Sequence, residues 1–222
     1  MTILDNLDIP GVYRGMVPGM TGQLEVTLDV PTAGHPDYLA ILGHPHSLQG
    51  GSMDNKVVTT MARAFRELGI ASIRFNFRGV GLSEGTYDAG IGESEDMFQV
   101  LQAIGRPHLQ VFFAGFSFGS YVAFRALTLY QEKYDHPTAL ITIAPSVQHY
   151  DYTSPLAPAT PWLVIMGTED EIVPLAAVSA FVQGRCPAPS VEYFADTGHF
   201  FHGKLLDLKA SLQSYIGKWM VP

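Results

Sequence analysis

The sequence predicts an α/β fold, with a mostly parallel central sheet and helices on both of its faces, from three observations. Short apolar runs rich in β-branched and aromatic residues recur along the chain, and most are followed by a segment of helical period. Most of the inner runs, YLAILG, VFFAG and WLVIMG among them, are nearly continuous in apolar residues, as strands buried on both faces are. Of the 222 residues, 47% are hydrophobic and 15% charged, enough to bury a substantial core, so one domain over 1–222 is expected.

In chain order, QLEVTLDV (Gln23 to Val30) alternates apolar and polar residues and reads as a half-exposed strand. YLAILG (Tyr38 to Gly43), ASIRFNF (Ala71 to Phe77), VFFAG (Val111 to Gly115), ALITIA (Ala139 to Ala144), WLVIMG (Trp162 to Gly167) and VEYF (Val191 to Phe194) read as largely buried strands. Between them, VVTTMARAFREL sets Val57, Met61, Ala64, Phe65 and Leu68 on one face of a helix that stops at Gly69. Similar patterns predict helices over Glu93 to Ile104, Ser120 to Tyr130, Leu175 to Val182 and Lys204 to Trp219. Right-handed crossovers then carry the C-terminal ends of the strands to one edge, where ligands bind in such sheets.

Composition narrows the function classes. A formal charge of −8 and the lack of any Lys/Arg cluster argue against nucleic acid as a partner. No apolar run approaches the roughly 18 residues of a membrane span, so no membrane insertion is expected. MTILDNLDIPG lacks the basic start and apolar core of a signal peptide, and the single cysteine, Cys186, suits a reducing compartment. A soluble cytoplasmic protein is expected, its oligomeric state open. His44 and His46 form an H-x-H after a strand, but Leu48 and Gln49 stand where further metal ligands belong; the pair reads as fixing its loop by hydrogen bonds, with no metal and no cofactor.

Two stretches fit the G-x-S-x-G pattern of a serine nucleophile turn: GLSEG (Gly81 to Gly85) and GFSFG (Gly115 to Gly119). Such a turn runs straight from a buried strand into a helix. GFSFG does so, with VFFA leading in and YVAFRALTLY following at once. GLSEG is separated from its strand by Arg78, Gly79 and Val80, continues as a loop, and would set Glu84 beside an oxyanion. Ser117 is therefore the candidate nucleophile and Ser83 a loop residue. GVGLSEG also fails as a dinucleotide fingerprint, since its glycines are misspaced and no helix follows closely.

A serine needs a base and an orienting acid, and both types occur after later strands. TEDEIVP offers Glu169, Asp170 and Glu171; ADTGHFFHG offers His199 and His202. The order Ser, Asp, His suits a strand-to-helix nucleophile turn.

Through GHPHSLQGGSMDNKVV, RFNFRGVGLSEG and GFSFG together, the chain resembles the α/β-hydrolase family over nearly its whole length, and more narrowly the small bacterial hydrolases related to dienelactone hydrolases and serine peptidases. The resemblance implies the acid at Asp170, in G-x-x-D-x-x-V-P, and the base at His199, in the Gly-His pair after the last strand. It also sets the RGxGxS loop containing Ser83 after the strand preceding the nucleophile strand. Oxyanion donors are then the amides of Phe118 and of His46, with Ser47 and Leu48 the alternatives to His46, because Pro45 stands where relatives carry Gly. The implied activity is hydrolysis of an ester or related acyl bond of a small-molecule substrate through an acyl-enzyme. Thioesterase, serine peptidase and non-catalytic scaffold functions on the same fold are the alternatives. Only the short Ser146 to Thr160 connection stands where many relatives insert a lid, so an open site is expected; His149, Tyr150 and Tyr152 either line its rim or serve as packing residues, as loop aromatics do equally often.

Overall fold

The computed structural model describes residues 3–104, 106, 108–136, 138–154, 156, 157 and 159–220. Its strands are β1 (Gly11–Pro18), β2 (Gln23–Val30), β3 (Tyr38–Gly43), β4 (Ala71–Phe75), β5 (Gln110–Phe116), β6 (Thr138–Ile143), β7 (Trp162–Gly167) and β8 (Ser190–Phe194). Its α-helices are α1 (Lys56–Glu67), α2 (Ile91–Ile104), α3 (Phe118–Lys133), α4 (Leu175–Gln183) and α5 (Leu205–Trp219). Short 3₁₀ turns cover Ile3–Asn6 and Ser47–Gln49.

The strands form one sheet in the order β1-β2-β4-β3-β5-β6-β7-β8. Strands β3 to β8 are parallel to their neighbours, and β1 and β2 add an antiparallel edge. Helix α1 packs with α5, and α2 packs with α3, so the sheet is covered on both faces. Strands β3, β5, β6 and β7 are buried along almost their whole length, which is why their sequences do not alternate. Helix α1 starts at Asn55, whose side chain accepts the Val57 amide, and ends where Gly69 takes a φ of 77°.

Several local expectations are corrected by this architecture. Strand β1 was not anticipated: GVYRGMVP is broken by glycines and ends in proline, yet it pairs with β2 along its whole length. Strand β2 keeps the expected alternation, with Leu24, Val26, Leu28 and Val30 buried and the polar face partly exposed except at Thr27. VEYF departs from its expected burial, because β8 is an edge strand and only Phe194 is buried. Helix α3 begins at Phe118, two residues before the predicted start, directly after Ser117. The connection 146–160 contains no helix among its described residues; Pro155 and Pro158 lie outside them.

The register decides which loops meet. Gly43 pairs with Gly115 and Phe116 with Ile143, so the loops after β3 and β6 flank the one after β5. Gly167 pairs with Phe194, which joins the loops after β7 and β8.

Candidate active site

Ser117 occupies the corner between β5 and α3 with φ 56° and ψ −119°. That conformation costs a non-glycine residue about 1–3 kcal/mol, so its neighbours must hold it. The Ser117 amide donates to the Ile143 carbonyl (2.8 Å), and the Ser120 hydroxyl donates to the carbonyls of Gly115 (2.8 Å) and Ile143 (3.0 Å). Glycine is required where the chains cross: a Cβ on Gly115 would lie 2.0 Å from the Gly119 carbonyl oxygen, and one on Gly119 would lie 2.4 Å from the Gly43 carbonyl carbon. Ser120 escaped the sequence reading, although it directly follows GFSFG.

Asp170 and His199 are brought together by the neighbouring ends of β7 and β8. His199 Nδ1 lies 2.8 Å from Asp170 Oδ2, and both side chains are buried. The other carboxylate oxygen, Oδ1, accepts the amides of Ile172 (2.9 Å) and Val173 (2.7 Å), which locks its orientation. Of the other acids, Glu171 accepts the His199 backbone amide (3.0 Å), and Glu169 is exposed. The His199 ring packs on Phe116, the residue before Ser117, with centroids 4.9 Å apart. His202 is exposed, its ring against Phe200. The Ser117 hydroxyl lies 3.4 Å from that of Ser146, a residue the sequence did not single out.

On the other side of Ser117 lies the loop after β3. His44 is fully buried; its Nε2 accepts the Phe77 amide (2.9 Å) and its Nδ1 donates to the Pro45 carbonyl (2.7 Å). Burial pushes His44 down to about 4, so it is neutral at pH 7. His46 caps the Ser47–Gln49 turn, its Nδ1 accepting the Leu48 amide (3.2 Å), and burial lowers its pKa as well. The His46 amide precedes this turn and the Phe118 amide opens α3, so neither has an acceptor within its own helix. The rings of His46 and Phe118 lie 5.1 Å apart. Among the described residues, no group of three or more His, Cys, Asp or Glu could hold a metal ion.

Ser83 is tied into the sheet. Its hydroxyl donates to the Asn76 carbonyl (2.6 Å) and accepts the Glu25 amide (2.9 Å), while the Glu84 carboxylate accepts the Gln23 amide (2.7 Å). Farther along the same loop, Tyr87 reaches His46, its hydroxyl 3.2 Å from Nε2. Tyr150 is half-buried against Phe118, whereas Tyr152 is buried among Tyr121, Phe124 and Phe181, which makes it a packing residue and not part of a rim. A cavity of about 420 Å³ lined by Tyr38, Gln110 and Thr138 sits at the N-terminal ends of β3, β5 and β6, the opposite end of the strands from Ser117. That cavity is therefore separate from the candidate site.

A mostly parallel sheet in this strand order, with a strained serine between β5 and α3, defines an α/β hydrolase. Residues 81–199 match the family model described as phospholipase/carboxylesterase, and the chain belongs to that family of hydrolases. It is similar to a Xanthomonas campestris protein described as an α/β serine hydrolase without a lid, at 41% identity over 95% of this chain and 97% of that one, with a TM-score of 0.86. A serine hydrolase homologue from Coxiella burnetii is 38% identical over 97% and 98% of the two chains, with a TM-score of 0.84. An uncharacterised Rickettsia prowazekii protein is 32% identical over 187 residues, 80% of this chain and 78% of its own. Among the described residues no helix is long and apolar enough to cross a membrane.

Proposed function

We propose that the protein is a carboxylesterase-like serine hydrolase in which Ser117 is the nucleophile, His199 the general base and Asp170 the group that orients His199. The observation that carries this reading is the 2.8 Å bond between Asp170 and His199 Nδ1. It commits Nδ1 and leaves Nε2 to exchange a proton with the serine. Ser117 Oγ attacks the acyl carbonyl as its proton passes to Nε2. The oxyanion accepts the amides of Phe118 and His46, aided by the N-terminus of α3. Collapse returns the proton to the leaving alcohol, and water, activated by the same Nε2, hydrolyses the acyl-enzyme.

The resting Ser117 hydroxyl faces Ser146 at 3.4 Å, well beyond the 2.7–2.8 Å typical of a hydroxyl pair, so little is lost when it turns to His199. This chemistry uses no cofactor and is shared by esters, thioesters and amides; small acyl esters head the substrate panel. The sole, exposed cysteine, Cys186, supports a cytoplasmic location.

The test is labelling with a fluorophosphonate followed by peptide mapping. Ser117 should carry the label, and Ser117→Ala should lose both the label and the hydrolysis of p-nitrophenyl butanoate. Label on Ser83, or a folded protein that takes none, overturns the assignment.

A further inference from the structure

Beside the nucleophile, three polar side chains from three different loops form a hydrogen-bonded row. Tyr87 Oη lies 3.2 Å from His46 Nε2 and 3.4 Å from Tyr150 Oη. The direction of the first bond is set by the backbone: the Leu48 amide can only donate, so His46 Nδ1 is an acceptor and the ring proton sits on Nε2. Nε2–H then donates to Tyr87 Oη. The row holds three hydrogens, one on Nε2 and one on each phenol, but only two contacts. One phenolic hydrogen is therefore left over, and neither hydroxyl has a further partner among the described residues.

The location of this spare donor matters. Tyr87 and Tyr150 pack against Phe118, the residue after Ser117, with ring centroids 5.7 and 5.3 Å away. Tyr150 also stacks flat on Tyr121, with centroids 4.7 Å apart and planes at 19°, which fixes the ring that carries the hydroxyl. Tyr87, Tyr150 and His46 are half-buried rather than sealed in the core.

Resting on the hydrolase reading above, we propose that Tyr87 and Tyr150 form a substrate subsite that donates one hydrogen bond to an acceptor oxygen close to the scissile bond. The enzyme then prefers substrates with an ether, hydroxyl or carbonyl oxygen near the reacting carbonyl over those with a methylene there. Burial holds the Tyr150 hydroxyl above the ordinary phenol range, so it stays a donor at working pH. A hydroxyl row built to donate penalises the methylene analogue, because the donor gives up water and gains no acceptor.

The test uses isosteric ester pairs. On the acyl side, p-nitrophenyl methoxyacetate is compared with p-nitrophenyl butanoate; on the alcohol side, 2-methoxyethyl butanoate with n-butyl butanoate. The readout is the ratio of kcat/KM within each pair, in the wild type and in Tyr87→Phe, Tyr150→Phe and the double variant. Referring each ratio to the wild type cancels the intrinsic reactivity of the esters, and a merely structural role lowers both members of a pair alike. The wild-type preference should fall about three- to tenfold in the double variant on one of the two sides, and that side locates the oxygen. Each single variant keeps one spare phenolic hydrogen by the same count and should retain most of the preference. Unchanged ratios on both sides, with Ser117-dependent hydrolysis intact, overturn the subsite alone. A wild type that hydrolyses none of the four esters overturns the underlying reading with it.

Discussion

His199 Nδ1 meets Asp170 Oδ2 at 2.8 Å, while Asp170 Oδ1 is held by two backbone amides. The carboxylate cannot rotate away, so the histidine is presented in one orientation. Asp170→Asn keeps an oxygen for the amides of Ile172 and Val173 and should leave the fold intact. It should lower kcat on p-nitrophenyl butanoate by about 10³–10⁴, because the amide stabilises the wrong imidazole tautomer. Steady-state kinetics read beside the melting temperature separate the two effects.

Ser117, the proposed nucleophile, sits in a strained backbone conformation. Ser117→Gly and Ser117→Ala should both abolish turnover, but the glycine variant should be about 1 kcal/mol more stable than the alanine variant, since only glycine takes φ 56° and ψ −119° without cost. Urea unfolding of the two variants makes the comparison.

Ser83 should behave in the opposite way. Removing its hydroxyl leaves the Asn76 carbonyl and the Glu25 amide without that partner, so Ser83→Ala should cost about 1–3 kcal/mol and keep most of the esterase activity. Loss of activity at full stability would contradict its role as a tether.

Arg78 and Asp96 form a buried ion pair at 2.7 Å that anchors the loop leading to Tyr87 onto α2. Arg78 also donates to the Gly92 carbonyl, and Asp96 also accepts the Met20 amide. Asp96→Ala leaves the buried Arg78 with only the longer contact to Asp88, at 3.8 Å, and should destabilise the protein by about 3 kcal/mol, whereas Arg78→Met with Asp96→Leu should recover a large part of that loss. Denaturant midpoints of the single and double variants check this.

His44 makes stability depend on pH. Burial depresses its folded pKa to about 4 from the ordinary 6.5, so its contribution is complete above pH 6.5. As pH falls, the unfolded chain takes up a proton that the folded protein refuses. Stability should decline by up to about 1.4 kcal/mol per pH unit and by about 3 kcal/mol in all by pH 4. Unfolding free energies measured between pH 7 and 4.5 should fall less steeply in His44→Gln.

Much of this was readable in the chain itself. Buried parallel strands write continuous apolar runs, so β3, β5, β6 and β7 are visible without neighbours, and the strand-to-helix context separates GFSFG from GLSEG. Strand β1 was not readable, because GVYRGMVP acquires its strand character from pairing with β2 rather than from its own composition. The choice between rim and packing for Tyr152 is not legible for a related reason: a tyrosine in a Pro-rich loop has no periodicity to report that Tyr121, Phe124 and Phe181 enclose it.

The sequence by itself determined the alternation of strands and helices, the strand-to-helix corner at Ser117, and a short list of acids and bases after later strands. Tertiary structure decided which of them meet. Asp170 rather than Glu169 or Glu171 contacts His199 Nδ1, and Ser83 turns into the sheet instead of toward substrate. It also gathered His46, Tyr87 and Tyr150 into one hydrogen-bonded row from loops 41 and 63 residues apart in sequence. Periodicity and local motifs arise from forces between near neighbours in the chain and are written there. Contacts between loops depend on strand order and register, which only the packed sheet settles.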